Sequence, residues 1–183
     1  MSQKATHLSA VTVRLVVVDT SYLLELFRVP NNSDATAFHP VFQRFENADG
    51  VNVQLYVPLS VLFELGNHIA DVKDGGKRYR LVGELVEAVQ VWLSGESQFT
   101  IVSSMDDART VEDFCAALSA MTAKFASLAP DKHGLTNTAV VLEAQRLRRK
   151  YRSSGLKQYQ VHIWTRDQRL KALEPDTEAD AFL

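Results

Sequence analysis

The chain is 183 residues long, 46% hydrophobic and 23% charged, which suits one packed domain and excludes a chain disordered throughout. Twenty basic against twenty-two acidic residues give a formal net charge of −2 and exclude a global basic field of the kind that binds nucleic acid indiscriminately. A single cysteine, Cys115 in "VEDFCAALSAM", excludes an internal disulfide and predicts a buried thiol in a reducing cytoplasm; the first ten residues lack a hydrophobic signal core, and no apolar run approaches the roughly 18 residues of a membrane span.

The first element is a strand, "RLVVVD" (14–19), where four apolar residues run into Asp19, Thr20 and Ser21. A helix over 21–28 stops at Pro30, Asn31 and Asn32, and a second helix covers 38–47. The strand "NVQLYV" (52–57) leads into a helix over 59–72, and "KDGGKR" (73–78) separates it from a helix over 78–94. The strand "QFTIV" (98–102) precedes a helix over 108–127, the break "LAPDKHG" (128–134) and a helix over 135–152. The last strand is "VHIWT" (161–165), and the acidic segment 174–183 reads as a loose tail. Strand alternating with helix predicts an α/β domain with a mainly parallel sheet covered on both faces. With no repeat and no Pro/Gly/Ser linker, residues 1–183 form one domain.

Ligands of open α/β sheets bind outside the carboxyl ends of the strands. Asp19 is predicted at such an end, and Asp167 lies two residues beyond "VHIWT". Each has hydroxyl neighbours, Thr20 and Ser21 in one case and Thr165 in the other, which hold a carboxylate or meet a phosphate oxygen. Taken singly, each acid serves equally well as a helix cap. Glu64, in "PLSVLFELGNHIA", falls on the more polar side of the helix after the second strand, and alone suits a solvated position.

Convergence of three carboxylates on one crevice calls for a cation or a raised pKa. Oxygen-only ligands suit Mg²⁺ or Mn²⁺. Zinc is disfavoured, because the five histidines lack ligand spacing and Cys115 has no thiol partner; His162, inside a strand, reads as structural.

The segments "LVVVDTSYLLELF" (15–27), "YVPLSVLFELGNHIA" (56–70), "HGLTNTAVVLEAQRL" (133–147) and "VHIWTRDQRLKAL" (161–173) together resemble the PIN-domain family, metal-dependent nucleases that include ribonuclease toxins of toxin–antitoxin pairs. The resemblance covers about a third of the chain. It implies a three-layer α/β/α sandwich and an endoribonuclease using Mg²⁺ or Mn²⁺, with 5′-phosphate and 3′-hydroxyl products. It also implies a cytoplasmic protein with RNA as substrate, an antitoxin or other protein partner, and a homo-oligomer, a dimer. The family's acids fall on Asp19, Glu64 and Asp167, with Thr165 as the hydroxyl before the last. At the remaining acid "LTNTA" stands where the family has "LTDA", so Asn137 replaces an Asp; an amide oxygen ligates weakly and cannot act as a base. Asp131 is the candidate to compensate; Glu143, about 120° round the helix from Asn137, is a poorer one. Residues 73–132 exceed what a minimal toxin of the family needs, which implies a helical insertion forming a cap or partner surface.

For a nucleic-acid surface the best stretch is "RLRRKYRSSGLK" (146–157), with Arg146, Arg148, Arg149, Lys150 and Arg152 to track a backbone and Tyr151 to stack on a base. An ordinary solvated helix end explains the same residues. "KRYR" (77–80) is a second candidate. A haloacid-dehalogenase-type phosphotransferase needs an Asp where Ser21 stands, and a von Willebrand-type metal site a serine where Leu23 stands. No phosphate-binding glycine loop is present. The serious rival is a PIN-like domain that has lost hydrolysis, which Asn137 favours, and which binds RNA or serves in assembly.

Overall fold

Four β-branched runs each form a strand, and the four strands lie parallel. The computed structural model describes residues 10–48, 52–103, 105–152 and 157–178. In chain order the elements are β1 (Val11–Val18), α1 (Thr20–Leu26), α2 (Ala35–Ala48), β2 (Val53–Pro58), α3 (Leu59–Ala70), α4 (Gly75–Ser94), β3 (Phe99–Val102), α5 (Val111–Leu128), α6 (Leu135–Lys150), β4 (Lys157–Trp164) and α7 (Gln168–Lys171), with a 3-10 turn at Ala129–Asp131. The sheet order is β3-β2-β1-β4, all parallel, and helices on both sides make a three-layer α/β/α sandwich.

The central strand β1 is the greasiest. Leu15, Val16, Val17 and Val18 are fully buried, as a strand covered on both faces requires. Each such side chain contributes roughly 1.5–3 kcal/mol of burial. Pairing of Val18 with Trp164 brings the ends of β1 and β4 level. On one face Tyr22 and Phe45 pack on Trp164, Phe45 on Phe99, and Phe99 on Trp92, which joins α1, α2 and α4 to the sheet. Helix α6, with Val140, Val141, Ala144 and Leu147 buried, packs on β4 and β1.

Three expectations change. The glycines of "KDGGKR" begin α4 rather than precede it, because the Asp74 side chain accepts the Lys77 N–H as an N-cap. Cys115 is exposed: α5 turns Leu128 inward and leaves Val111, Phe114 and Leu118 outside beside the thiol. The acidic segment is not loose over 174–178. Edge strand β4 offers unpaired N–H groups, and Asp176 Oδ2 accepts Val161 N (2.8 Å) while Glu174 Oε2 accepts Ile163 N (3.2 Å). Residues 1–9 and 179–183, and 153–156 of the basic run, lie outside the described residues.

Candidate functional site

The chain runs outward from β1 through β2 to β3, then returns to place β4 on the other side of β1. The strand order therefore reverses between β1 and β4, and a crevice at a switch point opens at their carboxyl ends. Asp19 N donates to Trp164 O (2.9 Å), so Asp19 and Thr165 are the first residues beyond the paired ends of those strands.

Asp19 Oδ2 accepts three bonds, from Ser21 N (3.2 Å), Ser21 Oγ (2.7 Å) and Thr165 Oγ1 (2.9 Å). The hydroxyls continue the chain: Ser21 Oγ accepts Arg166 N (2.9 Å) and Thr165 Oγ1 accepts Asp167 N (3.0 Å). Asp167 caps α7, its Oδ1 accepting Arg169 N (2.9 Å). From the third element, Glu64 Oε2 accepts the Thr20 hydroxyl (2.6 Å). The hydroxyls of Thr20, Ser21 and Thr165 thus tie Asp19, Glu64 and Asp167 into one connected site. In each acid the second oxygen (Asp19 Oδ1, Glu64 Oε1, Asp167 Oδ2) has no side-chain partner among the described residues.

Asp19 is 5% exposed, and burial pushes its carboxyl above the ordinary value of 3.8 against the opposing bonds from Ser21 and Thr165. A buried carboxylate that costs free energy to ionise is what a bound cation would relieve. The donor set, oxygen only, fits Mg²⁺ or Mn²⁺. The three acids do not close to a tight trio, however. Among the described residues only His162, Glu174 and Glu178 bring three ligand atoms within 4.8 Å of one another. That group is already neutralised: Lys171 Nζ lies 2.7 Å from Glu174 Oε2 and 3.1 Å from Glu178 Oε2, and Arg44 also pairs with Glu178. His162 Nδ1 sits 2.9 Å from Asp176 O, which makes its role structural.

One supporting network has no counterpart in the sequence pattern. Glu25, fully buried on α1, accepts Asp34 N through both oxygens (3.0 and 2.9 Å) and pairs closely with Arg166, which also reaches Asp34 Oδ2 (3.4 Å). Arg166 stands between Thr165 and Asp167, so this pair anchors the loop that carries both. The visible signal was a lone Glu in the apolar run "YLLELF".

The remaining candidates are placed less favourably. Asn137, in the first turn of α6, directs its amide nitrogen toward His133 Nδ1 (3.3 Å), a buried imidazole, rather than to an acid of the site. Asp131 is exposed, and its carbonyl, not its carboxylate, is engaged, by Arg169 (3.3 Å). Glu143 is buried and held by both Arg146 Nε (2.9 Å) and Nη2 (2.8 Å).

The basic run lies apart from the three acids. Arg146 is committed to Glu143 and Asp107, and Arg148 to Tyr159 O (3.2 Å) and Asp176 (3.3 Å). Arg149, Lys150 and Arg152 are exposed but stand at the far end of α6 from Asn137. At about 1.5 Å per residue, Arg149 and Lys150 lie roughly 18–20 Å along the helix from Asn137, toward the amino edge where β4 begins. Beside the crevice stands Arg169, whose Nε lies 3.7 Å from Asp167 Oδ1.

No protein-family model matches the chain, and no curated protein matches it. Among the described residues no helix is long and apolar enough to cross a membrane.

Proposed function

We propose that the chain is a divalent-metal-dependent endoribonuclease with a PIN-like site. The observation that supports this most is the hydroxyl-linked set Asp19, Glu64 and Asp167 at the switch point, each acid holding one oxygen in the protein and keeping the other free of side-chain partners.

Asp19 is the central ligand of this reading, since Ser21 on α1 and Thr165 just beyond β4 fix its rotamer. Glu64 and Asp167 would hold the ion with it, and acids that do not close to a tight trio suit an ion that keeps several of its waters. When bound, Mg²⁺ or Mn²⁺ supplies Lewis-acid charge and makes a hydroxide-like nucleophile accessible near neutral pH. Arg169 offers a guanidinium to a substrate phosphate at the rim, and Arg166, through Glu25, keeps the 165–167 loop in place. Asn137 brings no charge, so ion affinity is lower than a fourth carboxylate would give.

The orientation of Asn137 toward His133 favours a second reading, a PIN-like domain that binds RNA without cutting it. One experiment separates them: purified chain on mixed-structure RNA with Mn²⁺ or Mg²⁺, a chelator control and Asp19→Asn. Metal-dependent cleavage lost in the variant supports the nuclease. Binding without cleavage supports the second reading, and cleavage that persists in Asp19→Asn overturns the site.

A further inference from the structure

Beside the acids, on the β2–β3 side of the same carboxyl edge, lies a cleft of about 250 Å³ lined by Leu59, Phe63, Met105, Met121 and Ala139, with Pro58 at the end of β2. Part of its wall comes from α3, which carries Glu64, and from α6, which carries Asn137; Met105 and Met121 come from the segment after β3 and from α5. Ser60 also lines it and stands one turn before Glu64 on the same face of α3, while Ala139 lies two residues beyond Asn137 on α6. The cleft is therefore one to two strand spacings from Asp19, about 5–10 Å.

Two features distinguish it from a packing defect. Phe63 is 64% exposed, so an aromatic face is presented to solvent at the mouth. Ser60 and Ser103 are the polar side chains of a mostly apolar lining, and Ser60 Oγ is buried with no hydrogen-bond partner among the described residues. A buried hydroxyl without a partner costs free energy that a ligand edge relieves, and the group both donates and accepts.

We infer that this cleft seats one unstacked base of single-stranded RNA next to the cleaved phosphate. A base supplies what the lining asks for. Its faces stack on Phe63 and lie against the thioethers of Met105 and Met121, and its polar edge meets Ser60 Oγ. A hydroxyl that serves as donor or acceptor accommodates more than one base. A base held in a duplex stays stacked and cannot enter, so the cleft selects single strands. This inference rests on the nuclease reading for its placement beside a scissile phosphate, but the cleft itself is tested without cleavage.

The test uses the full chain in EDTA, with a short single-stranded RNA carrying 2-aminopurine and a duplex of the same sequence, read by fluorescence and anisotropy. Phe63→Ala, at an exposed position, is expected to weaken single-strand binding roughly tenfold, the scale of base–aromatic stacking, and to leave duplex binding unchanged. Ser60→Ala is expected to lower affinity a few-fold and to reduce differences among the four bases. Equal single-strand affinity in Phe63→Ala and the parent chain overturns the inference, as does equal affinity for duplex and single strand. Phe63-dependent stacking in a chain that never cleaves RNA leaves the base site standing and removes the nuclease reading. Cleavage with affinity unchanged by Phe63→Ala does the reverse.

Discussion

Replacing Asp19 by Asn exposes what the site costs the fold. Asp19 is buried, and burial raises its folded pKa above the ordinary 3.8 although Ser21 and Thr165 pull it down. A carboxyl with a raised folded pKa makes the folded state hold more protons, so stability falls as pH climbs from 3.8 through the folded value and stays reduced above it. Asparagine is isosteric. Its amide oxygen can accept the three bonds now made to Oδ2, and its NH₂ then takes the place of Oδ1, which has no side-chain partner to clash with. Each retained bond weakens by about 1 kcal/mol when the acceptor loses its charge, but the direction of the shift means that desolvation already outweighs those bonds.

The expected result at pH 7.5 is a gain of about 1–2 kcal/mol, the usual scale for relieving a functional site, and hence a Tm higher by ~2–8 °C, with cleavage and divalent-ion binding abolished. Thermal melts in EDTA from pH 7.5 down toward 3.8, with calorimetric Mn²⁺ titrations at pH 7.5, read both effects. The gain should shrink as pH falls toward 3.8, the direction in which a carboxyl with a raised folded pKa takes up its proton. A lower Tm at pH 7.5, or a gain indifferent to pH, refutes the account of Asp19 as an ionised, uncompensated acid.

Arg166→Met strands Glu25, and urea unfolding should show a loss of about 3 kcal/mol, the low end for a broken buried pair because the guanidinium is partly exposed. Burial works to raise the Glu174 carboxyl, but bonds from His162, Lys171 and the Ile163 N–H outweigh it and hold the group at about 2, against an ordinary 4.5. Its stabilisation is therefore present above pH 4.5 and lost as pH falls toward 2, so Glu174→Gln should flatten the acid limb of a stability–pH curve measured by circular dichroism. Asn137→Asp should raise Mn²⁺ affinity several-fold by calorimetry; unchanged affinity places residue 137 outside the ion site. Arg169→Gln should reduce the magnitude of the salt dependence of single-strand binding by ~0.7 in log–log slope, one phosphate contact, while joint Arg149→Gln, Lys150→Gln and Arg152→Gln changes leave cleavage unaltered.

The strands were legible because their β-branched runs are uninterrupted: "RLVVVD" and "VHIWT" lie within β1 and β4 apart from their terminal residues. The order of the sheet was not, since nothing local states that β4 returns to the side of β1 away from β2. That order decides which acids meet, and also which basic residues do not. Arg149 and Lys150 end a helix that must run back toward the amino edge before a parallel strand can begin, so chain adjacency to Asn137 gave no spatial adjacency to the site. Contacts between residues far apart in the chain were invisible for the same reason. Glu25 and Arg166 are separated by 141 positions, and Glu174 and Asp176 resemble solvated tail acids until an edge strand needs its N–H groups covered. Cys115 misled because α5 carries apolar residues on two stripes, and only one faces inward.

Capping and ligation, set against each other when Asp19 and Asp167 are judged from sequence, are not alternatives in this geometry. A carboxylate has two oxygens. At Asp19 one oxygen satisfies the first turn of α1 together with the hydroxyls of Ser21 and Thr165, and at Asp167 one oxygen satisfies the first turn of α7. The cap fixes the rotamer, and a fixed rotamer aims the second oxygen, so the structural role is compatible with the proposed chemical one. The same economy is absent at residue 137: its amide nitrogen is spent on His133, no cap bond holds its side chain, and it carries no charge. Residue 137 is therefore where the proposed ion site lacks a charge, while Asp19 is the position whose loss would relieve the fold.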